Sequence, residues 1–111
     1  MKKVIAFTAS MIISAGSQAV ECTGVVSKIG VGVDGHVVVS GPGGLNSVFI
    51  CNINGITNGV TVDLCKSMYS GLLTSYATGS PTIISFTNNT ACSAFQPWQY
   101  AQNIGWVIQQ K

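Results

Sequence analysis

The sequence contains few charged residues and no arginine. Charged side chains make up 7% of its 111 residues, against roughly 25% in an ordinary globular protein. This low fraction excludes a coiled coil or a charged disordered tail, because both depend on a high density of charge. The formal net charge is +2, but two of the five lysines are adjacent at positions 2 and 3. Residues 20–111 contain three scattered lysines and three acidic residues and are formally neutral. The chain therefore lacks the basic surface that binding to nucleic acid or to an anionic membrane requires.

Residues 1–19 are predicted to be a removable, bacterial-type signal peptide. Lys2 and Lys3 supply a positive start, residues 4–15 are mostly apolar, and small residues precede the predicted cleavage after Ala19. The alternative is a membrane anchor, but about 12 helical residues span only about 18 Å of a bilayer core of about 30 Å. No later segment reaches transmembrane length, so we expect residues 20–111 to form one soluble domain without a membrane span, secreted or periplasmic.

Catalytic groups are scarce. The sequence has one histidine and three carboxylates, which are too few for a catalytic triad or a pair of acids with distinct roles. We expect His36 to be exposed at a hairpin end, and Lys28 and Lys66 to be solvated. The sequence therefore predicts neither an enzyme nor a cofactor.

Four cysteines remain in the predicted secreted domain. Their spacing is far wider than the C-x-x-C pairs that are typical of zinc sites, so a metal site is disfavoured. A nucleophilic cysteine would need a nearby base, and His36 is the one candidate. An even number of cysteines in an oxidising compartment favours two disulfides instead.

The remaining pattern predicts five β-strands and one helix. Alternating or β-branched apolar residues mark the strands, and Gly, Asn and Pro clusters separate them. Apolar residues recur from Leu64 to Tyr76 at the spacing of a broad apolar helix face. Asp63 is expected to cap this helix, and Gly79 to close it. The predicted strands cover residues 23–31, 36–40, 46–53, 81–87 and 103–109, and the predicted helix covers residues 63–78.

The order β-β-β-α-β-β is that of the OB-fold, a small five-stranded barrel that binds oligonucleotides or oligosaccharides. In that barrel the first strand pairs antiparallel with the fourth. Cys22 precedes the first strand and Cys92 follows the fourth, so these two cysteines should meet. Cys51 and Cys65 would then attach the helix to the barrel. We therefore predict a mainly β OB-fold domain with one helix and two disulfides.

Several stretches resemble the B subunits of the subtilase cytotoxin, typhoid toxin and pertussis toxin group. Residues 23–26 (TGVV) resemble the Ser-Gly-Val-Val opening of the first strand in that group. The cysteines within residues 49–51 and 64–65 are similar to the group's cysteine pair before its helix. Residues 69–81 resemble the end of that helix, and residues 97–105 resemble the approach to the last strand.

This resemblance implies a secreted, lectin-like subunit that recognises glycans on host cells. The group's B chains form rings, so the resemblance also implies a homo-oligomer, such as a pentamer around a pore lined by helices, and a toxic A subunit as a partner. In the relatives, the serine before Gly-Val-Val contacts sialic acid, which assigns a sialylated glycan to Thr23. The chain departs from the group in its short segment before the first strand, and in pairing Cys22 with Cys92 instead of cysteines near the C-terminus.

The polar segment 88–102 is a second candidate for sugar binding. Sugars are usually held by amides and hydroxyls around an aromatic ring, because their faces are partly apolar and their rims are polar. The alternative is that Trp98 covers the open end of the barrel and the polar side chains are solvated. The predicted sugar contacts in this segment are Asn89, Trp98, Gln99 and Tyr100.

Two functions of different classes remain. The first is a secreted carbohydrate-binding subunit, alone or as the delivery ring for a toxic enzyme. The second is a periplasmic or extracellular structural or protein-interaction domain that keeps the same fold without binding sugar.

Overall fold

The computed structural model describes residues 19–102 and 104–110. These residues confirm a mainly β domain with one helix. The predicted signal peptide, residues 1–19, falls almost wholly outside the described residues. The elements are β1 Val20–Val25, β2 Lys28–Val31, β3 His36–Ser40, β4 Val48–Asn52, α1 Val62–Thr78, β5 Pro81–Phe86 and β6 Ile104–Gln109, with short 3-10 turns at Pro42–Gly44 and Cys92–Ala94.

The strands form two antiparallel sheets of three strands each. In the first sheet β5 lies between β1 and β6, and in the second sheet β3 lies between β2 and β4. The chain crosses from the first sheet to the second at residues 26–27, between β1 and β2. An apolar core is formed by residues of both sheets and of the helix, and its largest buried side chains include Phe86, Ile50, Leu72, Ile84, Val37, Val39 and Val48.

The prediction of one continuous first strand over residues 23–31 is wrong. The turn that follows β3 packs directly against this stretch, since a Cβ on Gly41 would lie 2.2 Å from the Val25 carbonyl oxygen and 2.7 Å from the Ser27 nitrogen. The N–H of Ser27 donates to the carbonyl of Ser40 at 2.9 Å. The stretch is thereby divided into β1 and β2. Six strands in two sheets replace the five strands expected, and these sheets do not by themselves establish the predicted closed barrel.

The helix begins one residue earlier than predicted, and its cap is a different residue. Thr61 Oγ1 accepts a hydrogen bond from the N–H of Leu64 at 3.2 Å, so Thr61 and not Asp63 is the N-cap. Asp63 lies in the first turn, where its negative charge is favourable to the helix dipole. Gly79 closes the helix with a left-handed φ of 72°, as predicted.

The helix buries a narrower face than its apolar residues suggest. Cys65 and Leu72 are fully buried, and α1 contacts β2, β4, β5 and β6. Part of the predicted apolar face is instead 40–52% exposed. The exposed residues are Leu64, Leu73 and Tyr76.

Both predicted disulfides are present. Cys22–Cys92 joins β1 to the 3-10 turn after β5, and Cys51–Cys65 joins β4 to the first turn of α1. The Cα atoms of each pair are 5.7 Å apart. One disulfide therefore ties the first sheet to the segment that leads to β6, and the other ties the second sheet to the helix.

Removal of either disulfide should destabilise the domain. In the chain-entropy model, a cross-link across a separation of 70 residues contributes about 4 kcal/mol, and one across 14 residues about 3 kcal/mol. Both values are large against a total stability of about 5–15 kcal/mol for a small domain. Urea unfolding of the wild type, C22A/C92A and C51A/C65A measures the two losses, and equal stability of all three proteins would contradict the prediction.

Gly41→Ala should destabilise the domain by about 2 kcal/mol or more, because the new Cβ would overlap the backbone of Val25 and the φ of +124° is unfavourable for any other residue. Gly55→Ala is the matched control, since a Cβ at Gly55 meets nothing within 4 Å. The control should change the free energy of unfolding by no more than about 0.5 kcal/mol. Similar losses in the two variants would show that the close approach at Gly41 is unimportant.

Candidate functional site

The outer face of the second sheet carries two stacked rings. His36, the first residue of β3, pairs with Asn52 of β4, and Val38 pairs with Phe49. Because side chains alternate along a strand, His36 and Val38 lie on the face opposite to the buried Val37. The rings of His36 and Phe49 are nearly parallel, with an interplanar angle of 11° and centroids 4.6 Å apart. This stack forms an aromatic surface on the outside of the sheet.

The segment before β6 runs alongside β4 and adds two more rings to this surface. The N–H of Phe49 donates to the carbonyl of Gln99 at 3.0 Å, and the N–H of Ala101 donates to the carbonyl of Phe49 at 2.9 Å. The rings of Trp98 and Tyr100 meet the Phe49 ring edge to face, with centroid distances of 6.2 and 5.3 Å. The term aromatic patch refers below to His36, Phe49, Trp98 and Tyr100.

Two residues with left-handed backbone hold Trp98 in place. Ser47 has a φ of 53° and Trp98 a φ of 63°, and the N–H of Trp98 donates to the carbonyl of Ser47 at 2.6 Å. A left-handed conformation is unfavourable for a bulky side chain and persists only where the surrounding structure holds it. Trp98 is nevertheless 60% exposed, so this backbone presents the indole to solvent instead of burying it.

Lys28 extends the aromatic patch at the Trp98 end. Its Nζ atom lies 5.3 Å from the centroid of the Trp98 ring and donates a hydrogen bond to Ser47 Oγ at 2.9 Å. Lys28 is exposed, as predicted. Its ammonium group is also held in a defined position by a cation–π contact and a hydrogen bond.

A hydrogen-bond network joins His36 to Tyr100. The Tyr100 hydroxyl is hydrogen bonded to His36 Nδ1, and Asn52 Nδ2 donates to the same hydroxyl at 3.1 Å. On the other side of the ring, His36 Nε2 lies 3.8 Å from a carboxylate oxygen of Asp34, and the His36 side chain is 31% exposed. His36 lies at a hairpin end, as predicted. The prediction that it is exposed is wrong, because the ring is partly covered and hydrogen bonded.

Tyr100 also borders an open cleft with a volume of about 220 Å³. Phe95 forms part of its wall, and the Phe95 ring packs on the buried ring of Phe86 with centroids 4.6 Å apart. The volume is smaller than the roughly 300–1,000 Å³ of sites that enclose a drug-sized molecule. The residues that line this cleft, called the amide cleft below, are Asn88, Thr90, Ala94, Phe95, Gln96, Gln99, Tyr100, Ala101 and Gln102.

The amide cleft has the chemistry of a neutral polar site. Four of its lining side chains end in amides, each with two donors and one acceptor oxygen. Part of this capacity is used internally, since Asn88 Nδ2 donates to the Gln102 carbonyl at 3.5 Å and Asn88 Oδ1 accepts the N–H of Thr90 at 3.3 Å. None of the lining residues is charged. The cleft is therefore suited to a ligand that is recognised by directional hydrogen bonds rather than by net charge.

The structure brings some of the sequence-predicted site residues together and separates others. Gln99 and Tyr100 line the amide cleft. Trp98 projects into the aromatic patch, and Asn89 is exposed on the same segment without lining the cleft. Thr23 is exposed on β1, opposite Ile83 of β5, and so belongs to the first sheet. A glycan contact at Thr23 stays a prediction, and it would be separate from the cleft.

Sequence reasoning missed several members of the site. His36 and Phe49 are members of the aromatic patch, and Asn52 and Lys28 contact it from other strand positions of the second sheet. The alternation of apolar residues along 46–53 placed Phe49 on one face of a strand. It gave no reason to expect the segment around Trp98 to pack on that face. The signal was available only in part, because the contact depends on a pairing between distant parts of the chain.

No protein family, curated protein or solved structure matched this chain. The resemblance to toxin B subunits is therefore carried by the short stretches of sequence alone. Within the described ranges, no helix is long and apolar enough to cross a membrane. The same part of the chain contains no group of three or more His, Cys, Asp or Glu side chains placed to hold a metal ion.

Proposed function

We propose that this chain is a secreted, lectin-like protein of the toxin B-subunit kind that binds cell-surface glycans and has no enzymatic activity. The observation that carries the proposal is the juxtaposition of the amide cleft and the aromatic patch, which share Tyr100. Amide groups match the donors and acceptors on the rim of a sugar, and aromatic rings match its apolar face. A sialylated glycan is the ligand that the resemblance at Thr23 favours.

The OB-fold is part of this proposal. β1 and β2 follow one another with only two residues between them, so they correspond to the two halves of the long first strand of such a barrel. The parallel bridge between Phe49 and Tyr100 links an edge of the second sheet to the segment that enters the first sheet. These two links support a closed arrangement of five strands, which is a common carrier of oligosaccharide sites.

A secreted or periplasmic location fits the same proposal. Two disulfides in a domain of this size are typical of proteins that leave the reducing cytoplasm. The sequence of residues 1–19 supplies the predicted export signal.

Gln99→Ala should weaken glycan binding by about twofold to tenfold, because one hydrogen bond contributes about 0.5–1.5 kcal/mol. A glycan array with sialylated and neutral members identifies the ligand, and titrations of 3′-sialyllactose and lactose measure its affinity. Trp98→Ala tests the aromatic patch in the same assay, and Thr23→Ala tests the contact that the resemblance implies.

Gln110→Ala is the matched control for Gln99→Ala, since it removes an exposed amide that follows β6 and does not line the cleft. It should bind as the wild type does. A folded wild-type protein that binds none of the glycans would overturn the proposal and favour the alternative of a structural or protein-interaction domain.

We also propose that the chain forms a homo-oligomer, with a pentamer as the form implied by the resemblance and a toxic A subunit as its partner. The support is the outer face of the first sheet, where apolar side chains lie exposed next to one another. Ile83 of β5 pairs with Thr23 on one side and with Ile108 on the other. Trp106 is 68% exposed and Ile108 43% exposed. Contiguous exposed apolar residues of this kind often mark an interface.

Native mass spectrometry should give five times the mass of the mature chain, and Trp106→Glu should shift the protein to monomer by placing a charge in the interface. Ile56→Glu is the control, because Ile56 is 72% exposed in the loop between β4 and α1, outside the first sheet. A wild-type monomer at micromolar concentration would contradict the oligomer without bearing on the amide cleft.

A further inference from the structure

We infer that His36 is a positioning residue that reverses the hydrogen bonding of the Tyr100 hydroxyl when it takes up a proton, and that ligand binding at the amide cleft therefore depends on pH. The part that concerns ligand binding rests on the proposed function. The part that concerns the hydroxyl rests only on the contacts among His36, Asn52 and Tyr100.

The orientation of the Asn52 amide fixes the direction of the network. Asn52 Oδ1 accepts the N–H of Asn54 at 2.7 Å, so the oxygen end of the amide faces the turn after β4. The Nδ2 end donates to the carbonyl of Asp34 at 3.2 Å and to the Tyr100 hydroxyl at 3.1 Å, and it lies 3.4 Å from His36 Nδ1. A reversed amide would lose the bond to Asn54 and would place its oxygen against the Asp34 carbonyl. Asn52 is therefore a donor to the Tyr100 hydroxyl.

When neutral His36 carries its hydrogen on Nε2, the Tyr100 hydroxyl both accepts and donates within the network. The Tyr100 oxygen accepts a hydrogen from Asn52, and the Tyr100 O–H donates to an unprotonated His36 Nδ1. The remaining hydrogen of the imidazole is then on Nε2, which faces the carboxylate of Asp34 at 3.8 Å. In this state the hydroxyl hydrogen of Tyr100 is engaged inside the protein.

Protonation of His36 reverses one of these bonds. A proton taken from water onto Nδ1 turns that atom from an acceptor into a donor, so the Tyr100 O–H can no longer donate to it. The Tyr100 oxygen then accepts hydrogens from both His36 and Asn52, and its own hydrogen must turn to another acceptor. Because Tyr100 is only partly buried and lines the cleft, that acceptor is water or a bound ligand.

The charged, aromatic and titratable groups near His36 come from several elements. Its side chain is 31% exposed, and Asp34, at the turn before β3, places a carboxylate beside Nε2. The Phe49 ring stacks on the imidazole from β4, and the face of an aromatic ring attracts a cation. Tyr100 is the titratable group that contacts His36 from the segment before β6. Lys28 of β2 approaches the patch at the Trp98 ring.

The first experiment needs no ligand. Because the sequence has a single histidine, the ring C–H signals of His36 can be followed by NMR between pH 5 and pH 8, the range over which histidines usually change charge. The ring signals of Tyr100 should move with the same midpoint in the wild type and should be flat in His36→Gln. Tyr76, which is 52% exposed on α1, is the internal control and should be flat in both proteins.

A further variant separates the hydroxyl of Tyr100 from its ring. Tyr100→Phe keeps the ring and removes the hydroxyl. It therefore tests the role of the hydroxyl in ligand binding even if His36→Gln fails to fold. Tyr100 signals that are flat in the wild type, or that still move in His36→Gln, would overturn the inference.

The second experiment measures binding of 3′-sialyllactose at pH 5.5 and pH 7.5. The wild-type affinity should change by about threefold to tenfold, the effect expected of one hydrogen bond, and Tyr100→Phe and His36→Gln should bind with the same affinity at both pH values. A glycan that binds equally at both pH values in the wild type would overturn the link to the cleft. If Tyr100 follows His36 and no glycan binds at either pH, the proposed function fails and the hydroxyl reversal stands.

Discussion

Two backbone hydrogen bonds of Phe49 hold the candidate site together. They fix the carbonyl of Gln99 and the N–H of Ala101 against β4, and so place the side chains of Trp98 and Tyr100 over the outer face of the second sheet. The amide cleft is built from the same segment. Together with the hydrogen bonds from Trp98 N–H to the Ser47 carbonyl and from Asn58 Nδ2 to the Ala101 carbonyl, this pairing positions residues 98–101 against the second sheet.

The scarcity of charge determines how the fold is stabilised. With ion pairs largely unavailable, the domain depends on its apolar core, two disulfides and close backbone packing. Backbone packing and one disulfide meet at the turn of residues 41–44. A Cβ on Gly43 would lie 2.8 Å from the Cα of Cys22 and 2.9 Å from Cys92 Sγ. The turn therefore packs directly on the disulfide that anchors the start of the segment leading to the site. A left-handed glycine conformation is what permits this approach.

Most of the fold could be predicted from local sequence patterns and the order of the elements. The features that could not be predicted depend on contacts between distant parts of the chain. The β-branched run at residues 36–40 forms β3 with the predicted bounds, and the predicted order of strands was sufficient to pair both disulfides correctly. The first strand was wrong because its division is imposed by Gly41, a residue distant in the sequence. The predicted helix cap, Asp63, is two positions away from the observed cap, Thr61. Both residue types are good caps, and the sequence alone does not distinguish between them. Of the candidate site, the composition of the segment predicted Trp98, Gln99 and Tyr100. Phe49 and His36 join them through a long-range pairing that leaves no local signal.

The position of Tyr100 matters because the amide cleft has no charged lining residue. A ligand there would be discriminated by the direction of each hydrogen bond, because no net charge in the lining attracts or repels it. A change of one lining group from acceptor to donor would then alter a large part of the selectivity of the cleft for its ligand. Tyr100 is the lining residue whose hydroxyl is tied to an ionisable group, through its hydrogen bond to His36. The single histidine of the chain is thus one hydrogen bond away from the residue that joins the aromatic patch to the amide cleft.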